Sequence, residues 1–196
     1  QAAARELAEQ WDEKNPRPLT EPAEGTAFAR LYIPSFGSDF NFSVVKGVAD
    51  EDLTKGPGHY QDSQDPGKPG NFAMAGHRVG RGSPFNDLGL LKTCDSVVVE
   101  TAGNWNIYRV MPIDVDPGSR KAEAEKCMPP ELAQKMAEGE YAGVNGRYIT
   151  TPNDISVINP IPGQQRIEAK PEDAALLTMT TCHPQFSNKE RMIVHA

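Results

Sequence analysis

Short β-rich runs, broken at close intervals by turn clusters, dominate this sequence. They favour a small β architecture over a helical bundle. The runs cover 27–33, 42–46, 71–76, 96–102, 105–111, 155–158, 176–182 and 191–195. Between them lie Pro57-Gly58, Asp65-Pro66-Gly67, Pro69-Gly70 and Pro162-Gly163, residues that turn the chain. The 17 glycines and 17 prolines make up 34 of 196 residues, well above the usual share of about 12%. About eight short strands with such punctuation predict a small closed or nearly closed β-barrel. Asn104, after Gly103 and between two runs, marks a tight hairpin.

Two segments depart from the β texture. Ala4, Leu7, Ala8 and Trp11 fall on one face at helical spacing, with Glu6, Glu9 and Gln10 opposite. Asn15-Pro16-Arg17-Pro18 stops that helix, so residues 1–25 read as a short helix and a linker ahead of one domain at 26–196. The second departure is a polar excursion at about 117–147. Within it, Pro129-Pro130 opens a run of helix formers that continues to Ala137.

Charge and hydropathy remove several function classes. The chain carries 20 Lys and Arg against 27 Asp and Glu, a net charge of −7. It has no basic cluster of the kind that holds nucleic acid. Its longest apolar run, Ala174-Ala175-Leu176-Leu177, is far shorter than the roughly 18 residues a membrane span needs. A chain that opens on Gln1 rather than Met is expected to lack its targeting segment.

Three contexts carry candidate chemistry. Ala73-Met74-Ala75-Gly76-His77-Arg78 sets a histidine at the end of an apolar strand, followed by a glycine-rich loop. In Leu177-Thr178-Met179-Thr180-Thr181-Cys182-His183-Pro184, strand alternation groups Leu177, Met179 and Thr181 on an inward face. Thr178, Thr180 and Cys182 then fall on an outer face, with Cys182 at the strand's end. Arg191 opens the last strand, nine residues after Cys182, so pairing of the two strands brings thiol and guanidinium to one side. A thiolate can attack a carbonyl, an imidazolium can protonate the leaving amine, and a guanidinium can steady the oxyanion. The competing role for Arg191 is a surface ion pair with Glu190 or Asp173.

Together these contexts resemble the sortases, the cysteine transpeptidases of Gram-positive cell surfaces. Gly76-His77-Arg78, Thr178-Met179-Thr180-Thr181-Cys182-His183-Pro184 and Arg191 occur in the family's order. Gly56-Pro57-Gly58-His59-Tyr60, the run from Pro66-Gly67 to Gly70-Asn71-Phe72, and Ser83-Pro84-Phe85-Asn86-Asp87-Leu88 are most similar to class E sortases of actinobacteria. The resemblance implies an eight-stranded sortase barrel at 26–196. It implies Cys182 as nucleophile, His77 as general acid and base, Arg191 as oxyanion or substrate stabiliser, and Thr181 as a contact to the sorting motif. It also implies a C-terminal LPxTG-type motif as substrate, in class E the form LAxTG, with Tyr60 linked to the alanine preference. The partners implied are surface proteins bearing that signal and an amine of the cell wall precursor as acceptor, with no cofactor and no metal. The implied location is the outer face of the membrane, held by an N-terminal anchor that the chain lacks. Cys94 stands where a glycine is expected, and the excursion at 117–147 is longer than the usual connection.

The rival readings are a zinc hydrolase and a non-catalytic surface-binding module. His59, His77, His183 and Cys182 could serve as zinc ligands, but none has HExxH or CxxC spacing. A papain-like protease would place its cysteine before its histidine. Of the three cysteines, Cys94 and Cys127 are left once Cys182 is assigned. An exported domain could join them and so pin the excursion to the barrel, although sequence does not fix their separation.

Overall fold

A computed structural model describes residues 25–77, 83–183 and 189–196, without the side chains of Cys182 and His183. The helix expected at the N-terminus lies outside the described residues. The strands are β1 (Ala27–Tyr32), β2 (Asn41–Lys46), β3 (Gly58–His59), β4 (Gly70–Ala75) and β5 (Ser96–Glu100), then β6 (Trp105–Arg109), β7 (Arg147–Thr150), β8 (Ala175–His183) and β9 (Glu190–His195). They form one curled sheet in the order β6-β5-β1-β2-β3-β4-β8-β9-β7. Only β2–β3 and β4–β8 are parallel. The sheet's two ends approach each other beyond β6, where Met111 N donates to His195 O at 3.0 Å and Gly146 N to Pro112 O at 2.9 Å.

Among the described residues nine strands stand where eight were expected. The two additions, β3 and β7, are short, and the segment 155–158, expected as a strand, is a 3-10 turn at Ile155–Ile158. The hairpin between β5 and β6 forms as expected, with Thr101 N bound to Asn104 O at 2.9 Å.

One face of the sheet holds the main core. Phe72 and Met74 of β4, Leu177 and Met179 of β8, and Met192 and Val194 of β9 pack with Leu31, Phe85, Leu88 and Val97. Alternation along each strand delivers these residues to the same side. Gly76 shows why a glycine precedes His77: a Cβ there would come within 2.4 Å of the Phe85 ring, which is itself fully buried.

After a short helix α1 (Asp50–Leu53), the excursion carries two helices rather than one, α2 (Arg120–Glu125) and α3 (Pro130–Ala137). It ends before Arg147, which belongs to β7. Ala124, Met128, Ala133 and Met136 pack with Tyr141, Ile161 and Leu176 into a second, smaller core. Buried Arg120 holds this unit together. Its Nε donates to Met136 O at 2.6 Å and its Nη2 to Val144 O at 2.5 Å and Tyr141 O at 3.2 Å. Burial lowers the pKa of this guanidinium.

A Cys94–Cys127 disulfide ties the end of α2 to the turn before β5, with Cα atoms 5.6 Å apart. Cys94 has φ of 72°, in the left-handed region where glycine is the usual occupant. The expectation of glycine at this place therefore has a backbone reason.

Candidate active site

The site is set by three neighbouring strands. In the antiparallel β8–β9 pair, residue 182 lies directly opposite Arg191. In the parallel β4–β8 pair, Ala75 is level with Thr180, and Gly76 N continues the ladder to Thr180 O at 3.0 Å. Two more residues along this register set His77 beside position 182. His77 is exposed, and its carbonyl accepts from Phe85 N at 3.2 Å. Across the next pair, Thr150 of β7 faces Arg191.

Arg191 is half-buried. Asp173, one of its rival partners, is instead engaged by Arg166 through two bonds of 2.7 and 2.8 Å. The Arg166 bonds hold the Asp173 carboxyl below the usual carboxylate range. No ion pair involves Arg191 among the described residues.

Thr181 sits on the core face with Leu177 and Met179, as its parity predicts, and is 1% exposed. Its Oγ1 has no hydrogen-bond partner among the described residues. Tyr60 lies across β4 from β8, and its hydroxyl meets Thr180 Oγ1 at 2.9 Å. Between the two strands of contact stand Ala73 and Ala75, whose small side chains leave the sheet surface low there.

The face expected to be open to solvent is covered. Thr178 is 0% and Thr180 1% exposed. Tyr60 reaches Thr180, and the long connection between β7 and β8 lies over Asn71, where a chain of polar side chains holds it down. Asn71 Nδ2 donates to Val157 O at 3.1 Å and to Asn159 O at 3.0 Å. Those two carbonyls fix the orientation of the amide, so Asn71 Oδ1 is the acceptor for the Thr178 hydroxyl at 2.8 Å. Having given its proton to Asn71, Thr178 Oγ1 must accept from His195 Nδ1, 2.7 Å away. His195 Nε2 is then the acceptor for the Tyr148 hydroxyl at 2.8 Å.

This assignment requires a neutral imidazole. Complete burial pushes the His195 pKa down to about 3, with the Asp154 charge opposing it. Burial raises that of Tyr148. Asp154 itself accepts from Ser156 Oγ at 2.6 Å and Thr150 Oγ1 at 2.8 Å, and these bonds, the Ser156 one foremost, hold its carboxyl low. Sequence spacing singles out neither Asn71, which appears only within the run Gly70-Asn71-Phe72, nor Tyr148. The one available signal was a polar asparagine between Gly70 and Phe72 in an otherwise apolar strand.

His59, considered above as a zinc ligand, is instead packed between Phe28 and Phe72 with Nε2 3.0 Å from Gln64 O. Burial lowers its pKa. The His183 side chain lies outside the description. Among the described residues no group of three or more His, Cys, Asp and Glu could hold a metal ion.

Comparison with known proteins points to one family. A sortase domain model matches residues 31–196. The chain is 58% identical to SrtF sortase from Corynebacterium diphtheriae, with a TM-score of 0.90 over 93% of this chain and 89% of that one. Against sortase E from Streptomyces avermitilis the identity is 33% and the TM-score 0.61, over 89% and 88% of the two chains. Sortase SrtE1 of Streptomyces coelicolor is 29% identical over 98% of this chain and 46% of its own length. The chain spans about half the length of the curated sortase E relatives it matches. On the domain match, and with class E enzymes among its relatives, the chain belongs to the sortase family.

Proposed function

We propose that residues 26–196 form the catalytic domain of a transpeptidase that cuts a C-terminal LPxTG-type sorting motif, in the form LAxTG, between Thr and Gly. The observation that carries this reading is the strand register: residue 182 opposite Arg191 on β9 and level with His77 beyond β4. The Cys182 thiolate attacks the threonine carbonyl carbon. Arg191 donates to the oxyanion that forms. Collapse breaks the C–N bond, and the imidazolium of His77 gives its proton to the departing glycine amine. The thioester then meets an amine of the cell wall precursor. His77 takes that amine's proton, the new amide forms, and the thiolate leaves.

Tyr60 is proposed to hold the motif, and Thr181, whose side chain is buried on the core face, to act on it only through the main chain beside Cys182. Tyr60 reaches Thr180 over small residues, and its ring would narrow the groove where a proline would otherwise fit. Partners on this reading are surface proteins carrying the sorting signal, and the domain works at the outer membrane face behind an N-terminal anchor. Among the described residues no helix is long and apolar enough to cross a membrane.

The test is incubation with an LAxTG peptide and a free amine, read by mass spectrometry. Cleavage after Thr with transfer to the amine is expected. An intact peptide, with Cys182 unmodified, refutes the reading.

A further inference from the structure

The connection between β7 and β8 crosses the sheet face that carries position 182. It leaves β7 at Thr150, opposite Arg191. Asp154 is bound there by Thr150 and Ser156. By Val157 and Asn159 it has reached β4, where both carbonyls meet the Asn71 amide. Thr178 on β8 lies beneath, four residues before Cys182, or about 13 Å along the strand. The connection therefore runs obliquely from the Arg191 row to the Thr178 row.

One side chain fastens its far end. Asn71 is fully buried, and its two amide protons serve two carbonyls of the connection while its oxygen takes the Thr178 hydroxyl. The next residues of β4 on this face, Ala73 and Ala75, carry no polar side-chain atom to bind the connection.

We propose that Asn71 is a positioning residue that clamps the β7–β8 connection against the sheet and thereby sets one wall of the peptide groove. The inference rests on the transpeptidase reading above. Asn71 is six residues from His77, about 20 Å along the strand, so it cannot touch the reacting atoms. It acts on how the peptide is held rather than on the thiol. An amide with both protons committed leaves the wall one height; without those donors, the Val157 and Asn159 carbonyls lose their partners and the wall lifts toward water.

The test is Asn71→Asp, which keeps the shape and replaces the double donor by a carboxyl. At pH 8 an ionised carboxylate faces two carbonyls and repels them. Burial raises the pKa of the new carboxyl, so acidification toward pH 5 increases the protonated form, which returns one donor. The titratable groups around it are His195, Tyr148 and Asp154 through the polar chain, and His59 through Gln64. All four are shared with the wild type, so the ratio of variant to wild type isolates the new carboxyl.

At pH 8 the variant should raise KM for the LAxTG peptide about tenfold, with kcat within about threefold. The gap should narrow at pH 5. Alkylation of Cys182 by iodoacetamide should proceed at the wild-type rate. Thr178→Val, which removes the hydroxyl that donates to Asn71 Oδ1 and accepts from His195 Nδ1, should raise KM in the same direction by about threefold and serves if the Asp variant does not fold. A KM ratio near one at both pH values, or a fall in thermal stability without a KM change, overturns the clamp while the transpeptidase reading stands. A wild type that cleaves no peptide overturns that reading and the groove role with it.

Discussion

Removing the Cys94–Cys127 bridge should destabilise the domain without touching its chemistry, and the choice of replacement at 94 should matter. The bridge spans 33 residues, and cross-linking a loop of that length removes about 4 kcal/mol of unfolded-state entropy. For a domain of this size that is about 8–16 °C in Tm. Cys94 holds φ of 72°, a conformation that disfavours alanine and suits glycine by about 1 kcal/mol. Cys94→Gly with Cys127→Ala should therefore lose less than Cys94→Ala with Cys127→Ala, by about 2–4 °C. Both should cleave peptide at the wild-type rate, because the excursion packs on Leu176, six residues or about 20 Å along β8 from Cys182. The assay is thermal unfolding of the three proteins, with and without reductant, beside peptide cleavage. A double variant as stable as the oxidised wild type, or a glycine variant less stable than the alanine one, refutes the reasoning.

Arg191→Ala should lower the cleavage rate by about 10²–10³ with little change in Tm, and Arg191→Lys should recover part of the loss; near-normal kinetics would remove Arg191 from the mechanism. His195 is neutral when folded, its pKa pushed down to about 3, and becomes charged below about 6.5 when unfolded, so its contribution is full above pH 6.5. Between pH 6.5 and 3 the unfolded chain binds the extra proton, and stability should fall by about 1.4 kcal/mol per pH unit from this group; urea titrations from pH 7 to 4 that show no decline beyond that of a Tyr148→Phe, His195→Leu double variant contradict this. Replacing residues 117–143 by a short Gly-Ser link should uncover Ile161 and Leu176 and lower Tm, while leaving cleavage by the folded fraction within about tenfold; complete loss of cleavage in a folded protein would mean that the excursion shapes the groove.

The strands that build the main core were legible because their alternation is local. Those that were missed lacked that signal. In β3 only Gly58 and His59 pair, and β7 follows directly on the polar excursion, with half of its four residues polar. The run Ile155–Ile158, with three β-branched residues of four, resembles a strand, yet Asp154 binds Ser156 at its start and Asn71 takes the carbonyls of Val157 and Asn159. Those contacts turn it into a 3-10 element. The face of β8 bearing Thr178 and Thr180 was expected to be open for a related reason. The bond from Thr178 to Asn71 joins residues 107 positions apart, and no local pattern announces it. At the site, strand ends and parity bring His77, Cys182 and Arg191 to one side, and the resemblance to sortases supplied their expected roles. The buried chain Asn71–Thr178–His195–Tyr148 carried no such signal, because its members come from four different strands.

The central claim is that Cys182 carries the acyl group. Mass spectrometry of the intact protein quenched during turnover of an LAxTG peptide tests it most directly. The account predicts an adduct equal to the peptide's acyl portion through Thr, mapped to Cys182, discharged by added amine and absent from Cys182→Ala, which should remain folded and transfer nothing. Retained transfer by Cys182→Ala, or an adduct on any other residue, would contradict it.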